Sequence, residues 1–122
     1  MGKPISYRDL VVWQKAMQLI DEIDEIVKFF DSYQRWWLGI QMHRAALSTA
    51  SNIAEGHDAD YRQVYLRHLS VAKGSNSEIE TQLLVVQRRA YAPNECTQSA
   101  LKLNAEIGRM LRKLSARLRG DP

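Results

Sequence analysis

The sequence predicts an all-α fold, an antiparallel up-and-down four-helix bundle. Apolar residues recur at three- and four-residue steps along most of the chain, no segment alternates like a strand, and the breaks between periodic segments are short. Helices of about 20 to 30 residues joined by short connections fold most simply as antiparallel neighbours. We expect one domain that spans residues 1–122.

The first helix is predicted to begin at Ser6, because Asp9 follows three residues later as in a capping box. Two apolar stripes then run along it, and one apolar face of about 100° is enough for a monomer. The second apolar stripe therefore predicts contacts with further copies of the chain, that is, a homo-oligomer. The first stripe contains Leu10, Trp13, Met17, Ile20, Val27 and Phe30, and the second contains Val12, Leu19, Ile23 and Ile26.

The second helix is predicted to follow the aromatic cluster of Tyr33, Trp36 and Trp37 and to end at Gly56, a residue typical of helix C-termini. Its many alanines and serines are small enough to let a neighbouring helix approach closely. Gly74, in the middle of the third helix, costs about 1 kcal/mol relative to alanine unless close packing compensates.

Turn-forming residues divide the rest of the chain. Residues 57–60 are polar and predict a connection, after which a third helix spans about Tyr61 to Arg89. The sequence Ala92-Pro93-Asn94 interrupts the helical pattern. The last helix is predicted to run to about Arg119 and to stop at Gly120.

Composition favours a globular protein in the cytoplasm. Hydrophobic residues make up 45% of the chain and charged residues 25%. No apolar run reaches the roughly 20 residues of a membrane span, and Met1-Gly2-Lys3-Pro4 lacks the apolar core of a signal peptide. We therefore expect no membrane partner. Cys96 is the only cysteine, which excludes an internal disulfide and predicts a packing role.

Charge is unevenly distributed around a net value of +3. Residues 1–31 carry four basic and six acidic side chains, whereas residues 86–122 carry eight basic and three acidic ones. Such asymmetry favours an anionic partner, although a solvated helix face would look the same. The candidate nucleic-acid contacts are Arg88, Arg89, Lys102, Arg109, Arg112, Lys113 and Arg117.

A row of polar residues follows one face of the second helix: Gln41, Arg44, Ser48, Asn52 and Glu55. The row either faces solvent, contacts a partner, or forms a buried hydrogen-bond network that sets the helix register. We favour the buried structural network.

Catalytic and metal-binding patterns are not recognisable in the chain. Di-iron bundles need Glu-x-x-His pairs, and none precedes His43, His57 or His68. The glycines are too scattered for a phosphate loop or a nucleophile turn. We expect a protein that is not an enzyme and that has no catalytic residue, no metal and no cofactor.

Several motifs resemble one protein family over nearly the whole chain. The sequence is similar to the bacterial four-helix-bundle family named after proteins encoded in intervening sequences of 23S ribosomal RNA genes. The resemblance rests on Asp9-Leu10-x-Val12-Trp13-x-Lys15-Ala16, Arg44-Ala45-Ala46-x-Ser48, Ser51-Asn52-Ile53-Ala54-Glu55-Gly56, Leu69-x-x-Ala72-x-Gly74-Ser75 and Glu78-x-Glu80-Thr81-Gln82-Leu83.

The resemblance implies a homopentameric ring. Relatives include accessory proteins of diversity-generating retroelements, which bind nucleic acid and associate with a reverse transcriptase, whereas most members have no established activity. A basic residue often follows Gly56 in the family, but His57-Asp58-Ala59-Asp60 stands here. This departure leaves the last helix as the stronger candidate for nucleic-acid contact.

Two functions are therefore expected from different classes. The first is a non-catalytic homo-oligomer that binds structured RNA or RNA/DNA through its basic surface. The alternative is a protein-interaction scaffold, with no direct nucleic-acid binding, in which Trp36 and Trp37 dock a reverse transcriptase or another protein.

Overall fold

The structure is a computed structural model that describes residues 6–121. Four long helices make up most of this range. The segment Met1-Gly2-Lys3-Pro4 and Pro122 lie outside the described residues. Within that range all regular structure is helical. The helices are α1 (Val11–Val27), α2 (Ile40–Asp58), α3 (Arg62–Arg89) and α4 (Asn94–Arg119).

The chain enters α1 through a 3₁₀ turn, Tyr7–Asp9. The Ser6 hydroxyl accepts a hydrogen bond from the Arg8 amide at 3.1 Å, and the Leu10 amide donates to the Tyr7 carbonyl. The serine is a cap, as predicted, but it caps this tight turn. The α-helix itself begins at Val11, five residues later than the predicted start.

A capping box starts the helical run that leads into α2. The Asp31 carboxylate accepts from the Gln34 amide at 2.8 Å, and the Gln34 side chain accepts from the Asp31 amide at 3.1 Å. The turn Ser32–Gln34 continues through a π-helical stretch, Arg35–Gly39, into α2. The π-helical stretch leaves Trp36 exposed while Leu38 is buried.

The prediction that the second helix ends at Gly56 is wrong, because α2 continues to Asp58. Gly56 is needed for close packing instead. A Cβ at this position would lie 2.8 Å from the Tyr65 ring and 2.9 Å from the Cβ of His68. Gly56 therefore sets how closely α3 approaches α2.

Each helix packs against two neighbours, α1 against α2 and α4, and α3 against α2 and α4. Lys15 pairs with Glu106, and seven residues further along α1 Glu22 accepts a hydrogen bond from Ser99. Residue numbers thus rise along α1 as they fall along α4, so these helices are antiparallel. The architecture is the all-α four-helix bundle that the sequence predicts.

The second predicted stripe of α1 forms its core face. Val12, Leu19, Ile23 and Ile26 are buried, together with Ala16 between them. The first stripe is divided: its earlier members lie at the edge of this face, whereas Val27 and Phe30 are buried. Met17 is 41% exposed, and Leu10, Trp13 and Ile20 pack only partly against the core.

Local backbone signals end α3 and α4 where the sequence predicts. Ala90 adopts the left-handed conformation after α3, and the Tyr91 amide donates to the Val86 carbonyl as in a Schellman motif. Gly120 follows α4 with a φ of 79°. In residues 6–121, no helix is long and apolar enough to cross a membrane.

Candidate nucleic-acid interface

The outer face of α4 carries four of the predicted basic residues. Lys102, Arg109, Lys113 and Arg117 are all exposed. Their steps of seven, four and four residues keep them on one side of the helix. The opposite side is anchored in the core by Ala100, Ile107 and Leu111, each fully buried. Burial of that apolar side turns the four cations toward solvent.

The acidic residues near α4 leave this face positive. Glu106 is bonded to Lys15 at 3.1 Å, and Asp121 is bonded to Arg119 at 2.9 Å. Glu95 lies near the start of α4, where it lines a cavity with Glu22 and Glu25. Among residues 6–121 no carboxylate lies within 4.0 Å of the four cations.

Arg112 lies at the seam between α3 and α4. The two helices are joined there by Asn76, whose side-chain amide donates to the Asn104 carbonyl and to Asn104 Oδ1, both at 2.8 Å. Asn104 returns a bond from Nδ2 to the Asn76 carbonyl at 2.9 Å. A Cβ at Gly108 would come within 2.6 Å of Asn76 Oδ1 and 3.4 Å of Arg112 Nη1. The glycine therefore makes room for both side chains.

Lys73 on α3 lies at the same level of the bundle as Arg112, although the sequence did not indicate it. It is half-buried and lies one turn before Asn76 on α3. Arg112 lies one turn after Gly108 on α4, and Asn76 and Gly108 are neighbours. Because α3 and α4 are antiparallel, Lys73 and Arg112 reach the same level of the bundle. Sequence separation hides this relation.

Arg88 and Arg89 are exposed but do not join the α4 face. They form the last turn of α3, at the end of the bundle where α4 begins. Arg109 lies 15 residues into α4, which at 1.5 Å per residue is about 22 Å along the helix. The seven predicted contact residues therefore divide between two sites, because antiparallel helices separate residues that are close in sequence.

Comparison with known proteins identifies the family. The model of the 23S rRNA-intervening sequence protein family matches residues 8–113. The chain belongs to this family. A similar solved structure is that of a protein of unknown function from the S23 ribosomal protein family of Bacteroides thetaiotaomicron VPI-5482, with 24% identity and a TM-score of 0.79. The match covers 86% of this chain and 98% of that chain, and supports the fold. A search of curated proteins finds no match.

In this member of the 23S rRNA-intervening sequence protein family, only the middle of the polar row forms an internal network. The Asn52 amide donates to the Ser48 carbonyl at 2.9 Å. His68 Nδ1 donates to Asn52 Oδ1 at 2.9 Å, and the Ser75 hydroxyl donates to the Ser48 hydroxyl at 2.9 Å. Two half-buried residues of α2 thus bind two residues of α3.

The buried-network prediction is wrong at both ends of the row. Gln41, Arg44 and Glu55 are exposed. The row follows the boundary of the buried face of α2, not its centre, so only Ser48 and Asn52 are covered by α3. The exposed members are available to solvent or to a partner.

A shallow groove extends the basic face of this family member toward α1. Its volume is about 290 Å³, and its floor is largely apolar. Lys113 and Arg117 stand at its rim, so an anionic ligand would meet cations beside an apolar surface. The other lining residues are Leu10, Val11, Val12, Met110 and Leu114.

No metal site forms from the described residues, since no group of three His, Cys, Asp or Glu side chains in the range 6–121 is placed to hold an ion. His57 is buried beside the Tyr65 ring, at 6.1 Å between ring centroids. Burial also raises the pKa of Tyr65. These residues pack the α2–α3 end of the bundle.

Proposed function

We propose that this protein is a non-catalytic, cytoplasmic homo-oligomer that binds structured RNA or RNA/DNA through the outer face of α4. The supporting observation is the set of four exposed cations on one rigid helix, with no carboxylate partner among residues 6–121. Arg112 extends this surface to the α3–α4 seam, and Lys73 lies at the same level on α3.

The contacts are expected to be with phosphates and not with base edges. Arg109, Lys113 and Arg117 are spaced four residues apart, about 6 Å along the helix axis. Their long side chains reach a phosphate backbone without inserting α4 into a groove. Contacts of this kind position a protein on nucleic acid and carry no sequence information.

The homo-oligomer is supported by apolar surface that one chain leaves exposed. Ile40 is 51% exposed and Leu47 is 59% exposed, and seven residues of separation place them on one face of α2. Five copies are favoured because of the family resemblance. Several copies of the α4 face would multiply phosphate contacts and steepen the salt dependence of binding.

The test compares two double variants that remove equal charge. Arg109→Gln with Lys113→Gln removes two cations from α4, and Arg44→Gln with Arg67→Gln removes two exposed cations from α2 and α3. Fluorescence anisotropy with a hairpin RNA, an RNA/DNA hybrid and duplex DNA is measured at several salt concentrations. Light scattering gives the mass of the oligomer in the same buffers.

The α4 double variant is expected to weaken binding to different sequences by a similar factor and to lower the log–log salt slope by about 2 for each copy of the chain that contacts the RNA. The control variant should leave both quantities close to wild type. Equal losses of affinity in the two variants would show that binding depends on the net charge of the protein and not on the α4 face. No binding by wild-type protein at low salt would contradict the proposal.

The exposed aromatic surface supports a second candidate, the protein-interaction scaffold. Trp36 is 72% exposed and precedes Ile40 by one turn. In a scaffold the partner, such as a reverse transcriptase, would bury these side chains, and affinity would persist at moderate salt. Capture of such a partner by wild-type protein but not by Trp36→Ala, with no RNA binding by either, would favour this candidate.

A further inference from the structure

A cluster of aromatic side chains covers the end of the bundle where α1 passes to α2 and α3 passes to α4. Two of its members project into solvent, Trp36 at 72% exposure and Tyr33 at 67%. A folded protein gains nothing from exposing such large rings to water. Their exposure on one short segment indicates a surface that contacts something else.

The exposed rings stand on a rigid base. Trp37 is half-buried and contacts Tyr33 and Tyr91, with ring centroids 6.4 and 6.3 Å apart. Tyr91 in turn packs edge to face on the buried ring of Phe30 at 5.7 Å. The aromatic base and the capping box before it hold the π-helical segment in place, so a ligand would pay little to order it.

Three arginines lie at the same end of the bundle as these rings, together with one carboxylate that is unpaired within the described residues, that of Glu95. Arg35 precedes Trp36 and is exposed, and Arg88 and Arg89 end α3 just before Tyr91. None of the three arginines forms an ion pair within residues 6–121. The Asp31 carboxylate caps the helical turn. Glu25 is bonded to Lys28 at 2.8 Å.

We propose that this aromatic end binds unpaired nucleobases of a single-stranded segment, with Trp36 and Tyr33 as stacking surfaces and the three arginines as phosphate contacts. Every base has a face that can stack, and proteins that bind single strands combine aromatic rings with positive charge in this way. The surplus of free cations favours this anionic ligand over an apolar protein surface. The inference rests on the proposed function. It adds a second binding site, the aromatic end, and the class of nucleic acid bound there, an unpaired strand.

The basic face of α4 and the aromatic end would then act on different parts of one RNA. The α4 face takes the backbone of a duplex, and the aromatic end takes the unpaired segment beside it. Both lie on rigid elements, and Arg109 is about 22 Å along α4 from the aromatic end, a distance that a structured RNA with a loop or a single-stranded tail can span.

The experiment uses the full chain and two probes, a 12-nucleotide oligoadenylate and a blunt 12-base-pair RNA duplex. Trp36→Leu retains an apolar side chain but removes the stacking face. It should weaken oligoadenylate binding about tenfold, the loss of one well-stacked base, and leave duplex binding within twofold. Trp36→Phe should keep most of the affinity. It should also lose most of the quenching of tryptophan fluorescence that oligoadenylate causes in wild type.

Tyr61→Leu is the matched control, because Tyr61 is 73% exposed at the opposite end of the bundle. It should change neither affinity. Unchanged oligoadenylate affinity in Trp36→Leu, or no oligoadenylate binding by wild type, would overturn the inference. If wild type still binds the duplex in that case, the proposed function stands. A different result would overturn the α4 proposal and keep the aromatic site. In that case wild type does not bind the duplex, and oligoadenylate affinity falls in Trp36→Leu but not in the Arg109→Gln, Lys113→Gln double variant.

Discussion

Helix α3 packs closely on both of its neighbours, but the two interfaces are built from different atoms. Against α2, the space of Gly56 is filled by the Tyr65 ring and the Cβ of His68. Against α4, the space of Gly108 is filled by the end of the Asn76 side chain. The Cβ of His68 cannot move without moving the backbone, and the buried Tyr65 ring is confined by its neighbours, whereas the end of the half-buried Asn76 side chain can rotate.

The polar groups of the two interfaces also differ, in how deeply they are buried. Ser48 and Asn52 on α2 are half-buried, and water can replace their partners. Asn104 on α4 is 2% exposed, and its bonds to Asn76 use backbone and side chain from both helices. The α2–α3 side thus depends on shape and the α3–α4 side on hydrogen bonding. The α3–α4 side also carries Arg112, at the edge of the basic surface.

The largest effect is expected for Gly56→Ala. The added methyl would overlap Tyr65 and His68, and the Tyr65 carbonyl at 3.3 Å limits escape in a third direction. Overpacking of this kind costs about 3 kcal/mol. Urea denaturation should show a lower midpoint with an unchanged slope.

Gly74→Ala provides the control, because a Cβ there would meet nothing within 4 Å. It should raise the stability of α3 by up to about 1 kcal/mol through helix propensity. A similar loss in both variants would show that the effect is not packing against Tyr65 and His68.

A smaller loss, about 2 kcal/mol, is expected for Asn104→Ala. The change removes Asn104 Oδ1, one of the two acceptors of the half-buried Asn76 amide, and leaves the Asn76 carbonyl without its side-chain donor, while the backbone carbonyl of residue 104 remains. Thermal unfolding measures the loss. Ser115→Ala is the matched change on the same helix. The Ser115 hydroxyl is buried and has no hydrogen-bond partner among the described residues, so its removal should cost much less.

These two interfaces also show what the sequence could and could not predict. The ends of α3 and α4 depend on neighbouring residues, Ala92-Pro93-Asn94 and Gly120, and their prediction is confirmed. Gly56 was interpreted as a helix end, because a glycine that caps a helix and one that admits a neighbouring helix look alike in sequence. The distinction depends on Tyr65 and His68, which belong to another helix.

The candidate interface shows the same limit. Lys102, Arg109, Lys113 and Arg117 share one helix, so periodicity alone predicts their common face, and the structure places all four on it. Arg88 and Arg89 do not share this face, since the chain reverses between α3 and α4, and their role as contacts stays a prediction. Asn104 carried one readable signal, a polar residue four positions after Ala100 in an otherwise buried series, but its partner Asn76 is 28 residues away.

The smallest effect is expected for Gly108→Ala, and it separates the two interfaces most directly. The new methyl would displace Asn76 Oδ1 and turn the amide, which weakens the bonds that Nδ2 donates to Asn104, while the helix propensity of alanine returns about 1 kcal/mol. Stability should therefore stay within about 1 kcal/mol of wild type, unlike the case of Gly56→Ala. Because Arg112 Nη1 lies 3.4 Å from the added atom, its guanidinium must shift, and the Kd for duplex RNA should rise about twofold. Anisotropy at fixed salt measures this change in Kd. A loss of stability as large as that of Gly56→Ala would show that the Asn76 side chain is held as firmly as the Tyr65 ring.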